Sequence, residues 1–471
     1  MKSVVMIAYG FPPEGNAGVY RPLRFVRNLE ACGWISRVIS AGSRFERHDA
    51  QLLSQVPTGT EVIRVPHGDV WQSFQMMRSE RLRRKSGASE SNPQAVSQPN
   101  ILNVRSRLRT LVRAAETAWY HPDMQKSWIR PAVEATVAMC ARSRPDALWA
   151  TGPPWSAFVV AQRASERTGV PYVLDFRTSW TIVPSPFEEM RPAWAKRMDR
   201  RLLTELLRRA QAVTFFYAAE AECFWRMYRE VLDVGRIHII PNGFDGDVEA
   251  FVPPTTNKFT ILYTGTLSDY RYDTFLAAVA RFISSDPARW QCTSIQFVGE
   301  EDPALGSSVK QLGLSHIVSS RPPVPHAEIA GLQREAHVLL MLERKPTHRG
   351  YELLAGAKLF GYLKAGRPIL GVVPRGEAER VLREVGVSTI ADAASVETIC
   401  AVLETIFNGW RRGRLSSFVP ERAACEQYSA KCQTAALVRA LEGAPPVQLF
   451  VPGAVEVAPS LRAELPATGW A

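Results

Sequence analysis

The sequence of 471 residues has few cysteines, and they form no recognisable pattern. Their number is odd, and no Cys-x-x-Cys pair occurs. A disulfide framework uses an even set, and a structural zinc site uses paired cysteines, so both are disfavoured. The pattern favours a reducing compartment, the cytoplasm. The seven positions are Cys32, Cys140, Cys223, Cys292, Cys400, Cys425 and Cys432.

Long apolar runs are also absent. No uninterrupted run approaches the ~18–20 residues that span a bilayer. Lys2 and the apolar residues 4–8 resemble the start of a signal peptide, but the run is short. It leads into Gly10-Phe11-Pro12-Pro13 without a small-residue cleavage site, which favours a buried first strand.

Acidic residues are outnumbered by basic ones, which gives a formal net charge of +11. Such an excess suits nucleic acid, anionic lipid or a phosphorylated small substrate. The sequence has no recognisable zinc finger, RNP motif or other nucleic-acid module. We therefore expect the charge to serve phosphate groups or a membrane surface, with no nucleic-acid partner.

Short apolar strands alternate with helical segments in two successive series, which predicts an α/β fold with two doubly wound, Rossmann-like domains. We expect an N-terminal domain over 1–241, a C-terminal domain over 242–442 and a poorly ordered tail over 443–471. The predicted strands are 3–9, 36–40, 61–65, 146–151, 172–176, 212–217 and 236–240 in the first series, and 259–264, 294–298, 337–342 and 368–373 in the second.

A basic insertion at 78–113 interrupts the first series and contains a polar stretch that we expect to be mobile. From Arg105 to Trp119 the apolar residues fall on one helical face and the arginines largely on another. Such a helix suits an anionic membrane surface, although packing on the N-terminal domain explains the pattern equally well.

Glycine-rich loops follow the first strand of each series. The loop after the first strand carries Gly15, Asn16 and Gly18, with Arg21 close behind. Glycines at a strand–helix junction let backbone N–H groups approach an anion, and the helix N-terminus favours negative charge. The dinucleotide pattern Gly-x-Gly-x-x-Gly is absent, so the loop predicts a phosphate or acceptor site, with an ordinary turn as the alternative.

Two further strands of the first series lead directly into polar and aromatic residues. Trp155 and Trp180 have rings suited to stacking on a sugar, and Asp175 and Arg177 suit hydroxyl or phosphate groups. The alternative is a packed tryptophan and a structural Asp–Arg pair. The sequence favours neither.

The second series repeats the strand–glycine–helix arrangement. Gly265 and Thr266 end its first strand, and Arg271 lies at the predicted start of the next helix. A cation at a helix start conflicts with the helix dipole, and an anionic ligand would relieve that conflict. A later short helix is predicted from about Ala355 to a glycine stop at Gly366, with Lys358 in its first turns. We expect both cations to face a phosphate, with solvated surface side chains as the alternative.

At these residues the chain resembles the retaining glycosyltransferases of family 4, which have the GT-B fold, and in particular their bacterial surface-polysaccharide branch. The matching segments, in order, are Tyr9-Gly10-Phe11-Pro12-Pro13 with Gly15 and Gly18; Gly152-Pro153-Pro154-Trp155-Ser156; Asp175-Phe176-Arg177 with Trp180; Ile240-Pro241-Asn242-Gly243-Phe244-Asp245; Tyr263-Thr264-Gly265 with Arg271; and Lys358-Leu359-Phe360 with Tyr362-Leu363 and Gly366-Arg367-Pro368-Ile369-Leu370.

The resemblance implies two domains facing a central cleft, transfer with retained configuration, and no metal or cofactor. It implies a nucleotide-sugar donor on the C-terminal domain and a glycan or lipid-linked acceptor on the N-terminal domain. Arg271 and Lys358 become the candidate catalytic residues. The donor-binding set is Gly265, Thr266, Arg271, Lys358, Leu359 and Gly361, and the acceptor or diphosphate set is Gly15, Asn16, Gly18, Arg21, Trp155, Asp175, Arg177 and Trp180.

Three positions depart from the family pattern. Thr266 stands where relatives commonly have a cation, and Gly361 stands where they usually have the glutamate that holds the donor ribose. Thr178 replaces a second acid after Arg177. These losses leave a degenerate GT-B protein, which binds a ligand or partner without turnover, as the main alternative to an active enzyme. A GT-B epimerase or a dinucleotide-dependent oxidoreductase is a third, and the missing glycine fingerprint counts against the oxidoreductase.

Overall fold

The computed structural model describes residues 1–42, 49–68, 119–178, 180–182, 191–342, 344–345, 355–447 and 450–451. These residues divide into two compact units. The first takes the described residues within Met1–Thr214, Tyr228–His238 and Val438–Leu449. The second takes those within Phe215–Met227, Ile239–Leu437 and Phe450–Ala471. The end of the C-terminal helix, from Val438, is therefore grouped with the first unit.

A seven-stranded sheet lies at the centre of the first unit, in the order β3-β2-β1-β4-β5-β6-β7. Strand β1 pairs in parallel with both β2 and β4, so Val4 lies beside Ser36 on one side and Ala147 on the other. The strands are β1 (Lys2–Ile7), β2 (Trp34–Gly42), β3 (Glu61–Pro66), β4 (Ala147–Gly152), β5 (Tyr172–Phe176), β6 (Ala212–Phe215) and β7 (Ile237–Ile239).

Helices follow these strands and cover the apolar residues, which explains why β1 is apolar and buried on both faces from Val4 to Ile7. Side-chain capping is visible at the short 3-10 turn just before the first helix, where Asn16 accepts a hydrogen bond from the Gly18 N–H at 2.9 Å. The helices are α1 (Tyr20–Leu29), α2 (Ala50–Leu53), α3 (Lys126–Arg142), α4 (Ser156–Thr168), α5 (Ala193–Arg209) and α6 (Ala218–Tyr228), with short 3-10 turns at Ala17–Val19, Glu30–Cys32 and Val234–Arg236.

The second sheet has six parallel strands in the order β10-β9-β8-β11-β12-β13. Successive side chains of β8 enter opposite cores, with Ile261 and Tyr263 in one and Leu262 in the other, as the two-residue period of a strand requires. The strands are β8 (Phe259–Thr264), β9 (Thr293–Val298), β10 (Val318–Arg321), β11 (Val338–Leu342), β12 (Ile369–Val373) and β13 (Ile390–Asp392).

Nine helices of the described chain follow β7. They are α7 (Asp273–Ser284), α8 (Pro287–Cys292), α9 (Leu305–Gln311), α10 (His326–Glu335), α11 (Lys358–Lys364), α12 (Glu377–Glu384), α13 (Val396–Arg411), α14 (Arg422–Glu426) and α15 (Ala430–Leu441), with a 3-10 turn at Leu415–Phe418.

The two parallel sheets, with helices between their strands, confirm the predicted α/β fold class. All eleven predicted strands are present. Two edge strands of the second sheet, β10 and β13, were not predicted. β10 has the sequence Val-Ser-Ser-Arg, and β13 is only three residues long, so neither gives a strong apolar signal.

Two predicted segments lie wholly or mainly outside the described residues. The basic insertion at 78–113 is one, and most of the amphipathic segment Arg105–Trp119 is the other. Of the predicted tail, Phe450 is described and is buried, with its ring 6.5 Å from that of Trp225. Within the described residues, no helix is both long and apolar enough to cross a membrane.

Candidate functional site

Two glycines bring the ends of β8 and β9 together in the second unit. Gly265 follows β8 with a φ of +120°, and its N–H donates to the Val298 carbonyl at 2.8 Å. Gly299 follows β9 with a φ of +148°, and a Cβ built on it would lie 2.2 Å from the Gly265 carbonyl oxygen. Side chains are therefore excluded from both positions, and the backbone at the carboxyl end of β8 is left accessible from the side of α11.

Lys358, the first residue of α11, lies against this backbone. A Cβ built on Gly265 would be 3.2 Å from the Lys358 Nζ. The Nζ lies 4.0 Å from the centre of the Tyr263 ring and 3.6 Å from that of the Tyr270 ring, and it donates to the Tyr263 hydroxyl. The hydroxyl in turn donates to the Thr266 carbonyl at 2.8 Å. We call Lys358, Tyr263, Tyr270 and Gly265 the lysine cage.

The lysine cage disfavours the charged form of the amine. Burial lowers the pKa of Lys358 to about 7, Asp269 opposes that shift, and Arg344 adds to it. Desolvation is the largest cause, because two tyrosine rings replace water around the ammonium. An anion arriving at Lys358 would restore the charged form, as expected for a site that binds phosphate.

The remaining predicted donor residues occupy different environments. Leu359 is fully buried in the second unit's core, so its side chain supports α11. Thr266 lies beside Glu300, with its Oγ1 3.4 Å from the Glu300 carboxylate. Arg271 is exposed just before α7. The predicted convergence of Arg271 and Lys358 on one diphosphate stays a prediction.

Gly361 has open space beside it. A Cβ built on this residue meets no atom within 4 Å, in contrast to Gly299. Close approach of α11 to a neighbouring part of the described protein therefore does not require glycine here. The position can hold a side chain, such as the glutamate that the resemblance leads one to expect.

Several residues of the lysine cage were not predicted from the sequence as site residues. Tyr263 and Tyr270 are far from Lys358 along the chain, and Asp269 and Arg344 influence its charge. Tyr270 is held beside Arg344 by an antiparallel bridge, and the Arg344 guanidinium lies 3.9 Å from the Asp269 carboxylate. An aromatic pair flanking the glycine after β8 was the available signal, but tyrosines on a strand more often serve the core.

In the first unit, Asp175 and Arg21 form a buried ion pair. The Arg21 Nη2 lies 2.7 Å from the Asp175 Oδ1, and Nε donates to the same carboxylate at 3.0 Å. Thr151 donates to it at 2.7 Å, and Thr214 also donates. The carboxylate thus joins α1 to the ends of β4, β5 and β6. Asp175 pairs with Arg21 rather than Arg177, so the structural Asp–Arg alternative describes it better than a ligand contact.

Trp155 and Trp180 stack on each other. Their ring centres are 4.8 Å apart with an interplanar angle of 5°, and their exposed fractions are only 3% and 2%. Neither ring presents an open face for a sugar in this arrangement. The packed-tryptophan alternative therefore describes both residues, because each indole buries its apolar area against the other.

Arg177 lies over the glycine loop that follows β1. A Cβ built on Gly18 would be 2.1 Å from the Arg177 Nη1, and the guanidinium also donates to the Pro153 carbonyl. Burial lowers the pKa of Arg177 to about 10, although nearby Asp175 favours the charged form. Gly18 and Arg177 are thus in contact, and their role at a binding site stays a prediction. Gly15 and Asn16 belong to the same loop, and Asn16 uses its side-chain oxygen to cap Gly18.

No cluster of three or more His, Cys, Asp or Glu side chains suited to a metal ion occurs among the described residues.

The sequence and the fold resemble those of known proteins. Residues 18–243, just under half of the chain, match a family model described as a glycosyl transferase 4-like domain. The chain has the GT-B fold. Together these findings support a glycosyltransferase that resembles family 4. Among curated protein sequences, none matches.

Three solved structures illustrate the likeness. HepE of Anabaena, in complex with UDP and glucose, has a TM-score of 0.54 at 12% identity and covers 94% of this chain and 100% of its own. The lipopolysaccharide outer core galactosyltransferase WaaB has a TM-score of 0.56 at 11% identity, with coverage of 94% and 99%. A protein of Listeria monocytogenes described as a UDP-N-acetylglucosamine 2-epimerase has a TM-score of 0.51 at 12% identity, with coverage of 94% and 96%.

Proposed function

We propose that the protein is a retaining, metal-independent glycosyltransferase of the hexosyltransferase type. It moves a sugar from a nucleotide-sugar donor to a glycan or lipid-linked acceptor, in polysaccharide or glycolipid biosynthesis. The lysine cage is the observation that supports this function most directly. It places a desolvated amine at the carboxyl end of the central strand β8, where α/β sheets bind their ligands.

The chemistry assigns distinct roles to the residues of the second unit. Negative charge accumulates on the departing nucleoside diphosphate while an oxocarbenium-like centre develops on the sugar. Lys358 and Arg271 stabilise that charge, and the backbone at Gly265 and Thr266 lies beside the phosphates. Such stabilisation is strongest where water is excluded, as it is around the Lys358 amine.

The first unit binds the acceptor in this proposal. Gly15, Asn16 and Gly18 offer a backbone edge, and Arg177 supplies positive charge over it. Arg21 and Asp175 support the site without contacting the acceptor, because their buried ion pair fixes the strand ends that carry this edge. We place the protein in the cytoplasm, at the inner face of the membrane, where a lipid-linked acceptor would be reached.

A second candidate is a degenerate GT-B protein that binds a ligand without turnover. Gly361 favours it, because the position is open yet carries no carboxylate for a ribose hydroxyl. A third candidate, an epimerase, shares the fold with one of the structural neighbours. The matched glycosyl transferase 4-like domain favours transfer over epimerisation.

A panel of labelled nucleotide sugars tests these candidates. Two neighbouring structures contain UDP, so UDP-sugars are tested first and GDP- and ADP-sugars second. A labelled glycoside with stoichiometric nucleotide release supports the transferase. Thermal stabilisation by a nucleotide without turnover would indicate the degenerate protein, and an isomerised nucleotide sugar would indicate the epimerase.

Two substitutions locate the donor site. Lys358→Ala and Arg271→Ala should each weaken nucleotide binding roughly ten- to a hundredfold, the effect of losing a charge-assisted hydrogen bond of roughly 1.5–3 kcal/mol. Lys310→Ala is the control, since it removes an exposed lysine of the same unit. Unchanged affinity in both test variants would contradict the assignment.

A further inference from the structure

Helix α5 presents apolar and basic side chains on one outward face. Trp194, Arg197, Met198 and Arg201 follow the spacing i, i+3, i+4, i+7, which places them within one arc of a helix. All four are exposed, and Trp194 and Met198 retain 37% and 38% of their accessible area. We call these four residues the α5 face.

The cations of the α5 face form no ion pair with any acidic side chain that the structure describes. Within the described residues, Arg197 and Arg201 have no ion-pair partner, and neither do Lys196 and Arg200 beside them. Further along α5 the pattern changes, because Arg208 lies 3.8 Å from Glu205 and Arg209 lies 2.6 Å from Glu166. The unpaired positive charge is thus confined to the first half of the helix, where the exposed tryptophan and methionine are.

A neighbouring segment adds two more exposed apolar side chains. Trp119 is 67% exposed and Met124 is 38% exposed. This segment is tied to α5 through the buried Asp199, whose carboxylate lies 3.2 Å from the His121 Nε2 and 2.9 Å from the Arg191 guanidinium. Arg191 also donates to the Pro122 carbonyl at 3.3 Å. His121 and Arg191 are therefore held at the same buried carboxylate of α5, and Trp119 and Met124 flank this contact along the chain.

We propose that the α5 face, together with Trp119 and Met124, docks the first unit on an anionic lipid surface. Tryptophan and methionine enter the interfacial layer, while the arginines keep their stems along it and their guanidinium groups at the lipid phosphates. The inference deepens the proposed function, because a lipid-linked acceptor bound by the first unit would lie in the same membrane.

The composition of the face distinguishes lipid from other partners. An exposed tryptophan and methionine alternate with arginine along one stripe of the helix. Duplex nucleic acid is contacted mainly through its phosphates and offers no apolar layer for such a methionine. A buried protein interface is depleted of charge at its centre. Basic residues interleaved with aromatic and apolar ones are typical of helices that lie in a membrane interface.

Vesicle flotation with the full chain tests the proposal. The vesicles contain phosphatidylcholine alone or with about one third phosphatidylglycerol, and no nucleotide sugar is present. We expect binding to the anionic vesicles only. Arg197→Gln/Arg201→Gln should weaken it by about thirtyfold, on a scale of about fivefold for each basic residue near an anionic surface.

The apolar half of the face needs its own variant, because a chain of net charge +11 is attracted to any anionic surface. Trp194→Ser/Met198→Ser should also weaken binding at least tenfold while leaving the charge unchanged. Arg412→Gln/Arg414→Gln is the matched control, since it removes two exposed cations from the second unit.

Loss of binding in both test variants, with the control within about twofold of the original chain, supports the proposal. It is overturned if the original chain does not float with anionic vesicles, or if either test variant matches the control. Because the assay contains no donor, a negative result leaves sugar transfer to be decided by the nucleotide-sugar panel. Circular dichroism confirms that each variant is folded, which the exposure of all four positions leads us to expect.

Discussion

The ammonium of Lys358 lies 3.6 Å from the centre of the Tyr270 ring, although the two residues are far apart in the sequence. The ring attracts the cation through its π electrons, but it also displaces water. Burial dominates this balance and lowers the pKa of Lys358 to about 7. The amine therefore changes charge within the physiological range, and a diphosphate would be the counter-charge that the lysine cage lacks.

This relationship predicts a pH-dependent affinity for UDP. Lys358 is charged below its pKa of about 7 and neutral above it, so the affinity should fall between pH 7 and 9, by up to about tenfold per unit. Calorimetry at pH 7, 8 and 9 should also show proton uptake on binding. Lys358→Met should bind weakly at every pH with a shallower slope, and equal slopes in the two proteins would count against the assignment.

The lowered pKa of Lys358 has the opposite pH dependence in folding: without ligand, it makes the protein more stable as the pH rises. Lys358 is harder to protonate in the folded chain than in the unfolded one, where its ordinary value is 10.5. The unfolded state therefore binds more protons between about pH 7 and 10.5, and this residue's contribution to stability rises with pH across that window. A difference in denaturation midpoint between the original chain and Lys358→Met should shrink as the pH increases.

Asp175→Asn should destabilise the first unit by about 3–5 kcal/mol, because it leaves the Arg21 charge buried without its partner. Urea denaturation measures the change. Glu134→Gln is a matched control, since it breaks the ion pair with Arg167 on the exposed surface. Exposed pairs contribute about 0–1 kcal/mol, so a similar loss in the two variants would show that Asp175 has no special structural role.

Gly299→Ala should destabilise the second unit by more than about 2 kcal/mol. The new methyl group would meet the backbone of Gly265, and the φ of +148° is unfavourable for any other residue. Gly306→Ala, in α9, is the control, because its Cβ meets nothing within 4 Å and alanine favours a helix by about 1 kcal/mol. A melting temperature that falls for the first and rises for the second is the expected result.

The sequence predicted the strands well because both sheets are parallel and buried on both faces. The central strands are therefore mainly apolar, and a glycine stands where the loop begins, as Gly152 at the end of β4 and Gly265 after β8. Edge strands lack that signal, and β10 and β13 were missed for this reason. The glycine motifs also lie at strand ends in the structure, since parallel strands end on one edge of a sheet, and the roles of Gly265, Gly18 and Lys358 stay predictions.

Side-chain partners were harder to predict than positions. Asp175 is two residues from Arg177 along the chain, yet its carboxylate is bound by Arg21 on α1, 154 residues away. The rings of Trp155 and Trp180 stack on each other instead of facing solvent. Tyr270 reaches Lys358 only because β8 and α11 are adjacent in space. Pairings of this kind depend on tertiary packing, and local sequence patterns do not predict them.

Gly361 offers the sharpest test of the donor site. It lies three residues after Lys358 on the same helix, so a side chain there should project near the lysine. No atom lies within 4 Å of a Cβ built at this position, so Gly361→Ala should not overpack α11 and should stabilise it by up to about 1 kcal/mol. Gly361→Glu should likewise fold normally, in contrast to Gly299→Ala.

Gly361→Glu should tighten the binding of UDP if this face of α11 meets the ribose. A carboxylate accepting hydrogen bonds from the ribose hydroxyls contributes roughly 1.5–3 kcal/mol at best, or about ten- to a hundredfold in affinity. Gly361→Gln is the control for size, and the 2′,3′-dideoxy analogue of UDP is the control for contact. The new glutamate can also pair with Lys358, which would change the affinities for UDP and the analogue equally. A gain for UDP that the analogue does not share therefore locates the ribose beside position 361, whereas equal changes for both ligands would place the ribose elsewhere and favour the degenerate protein.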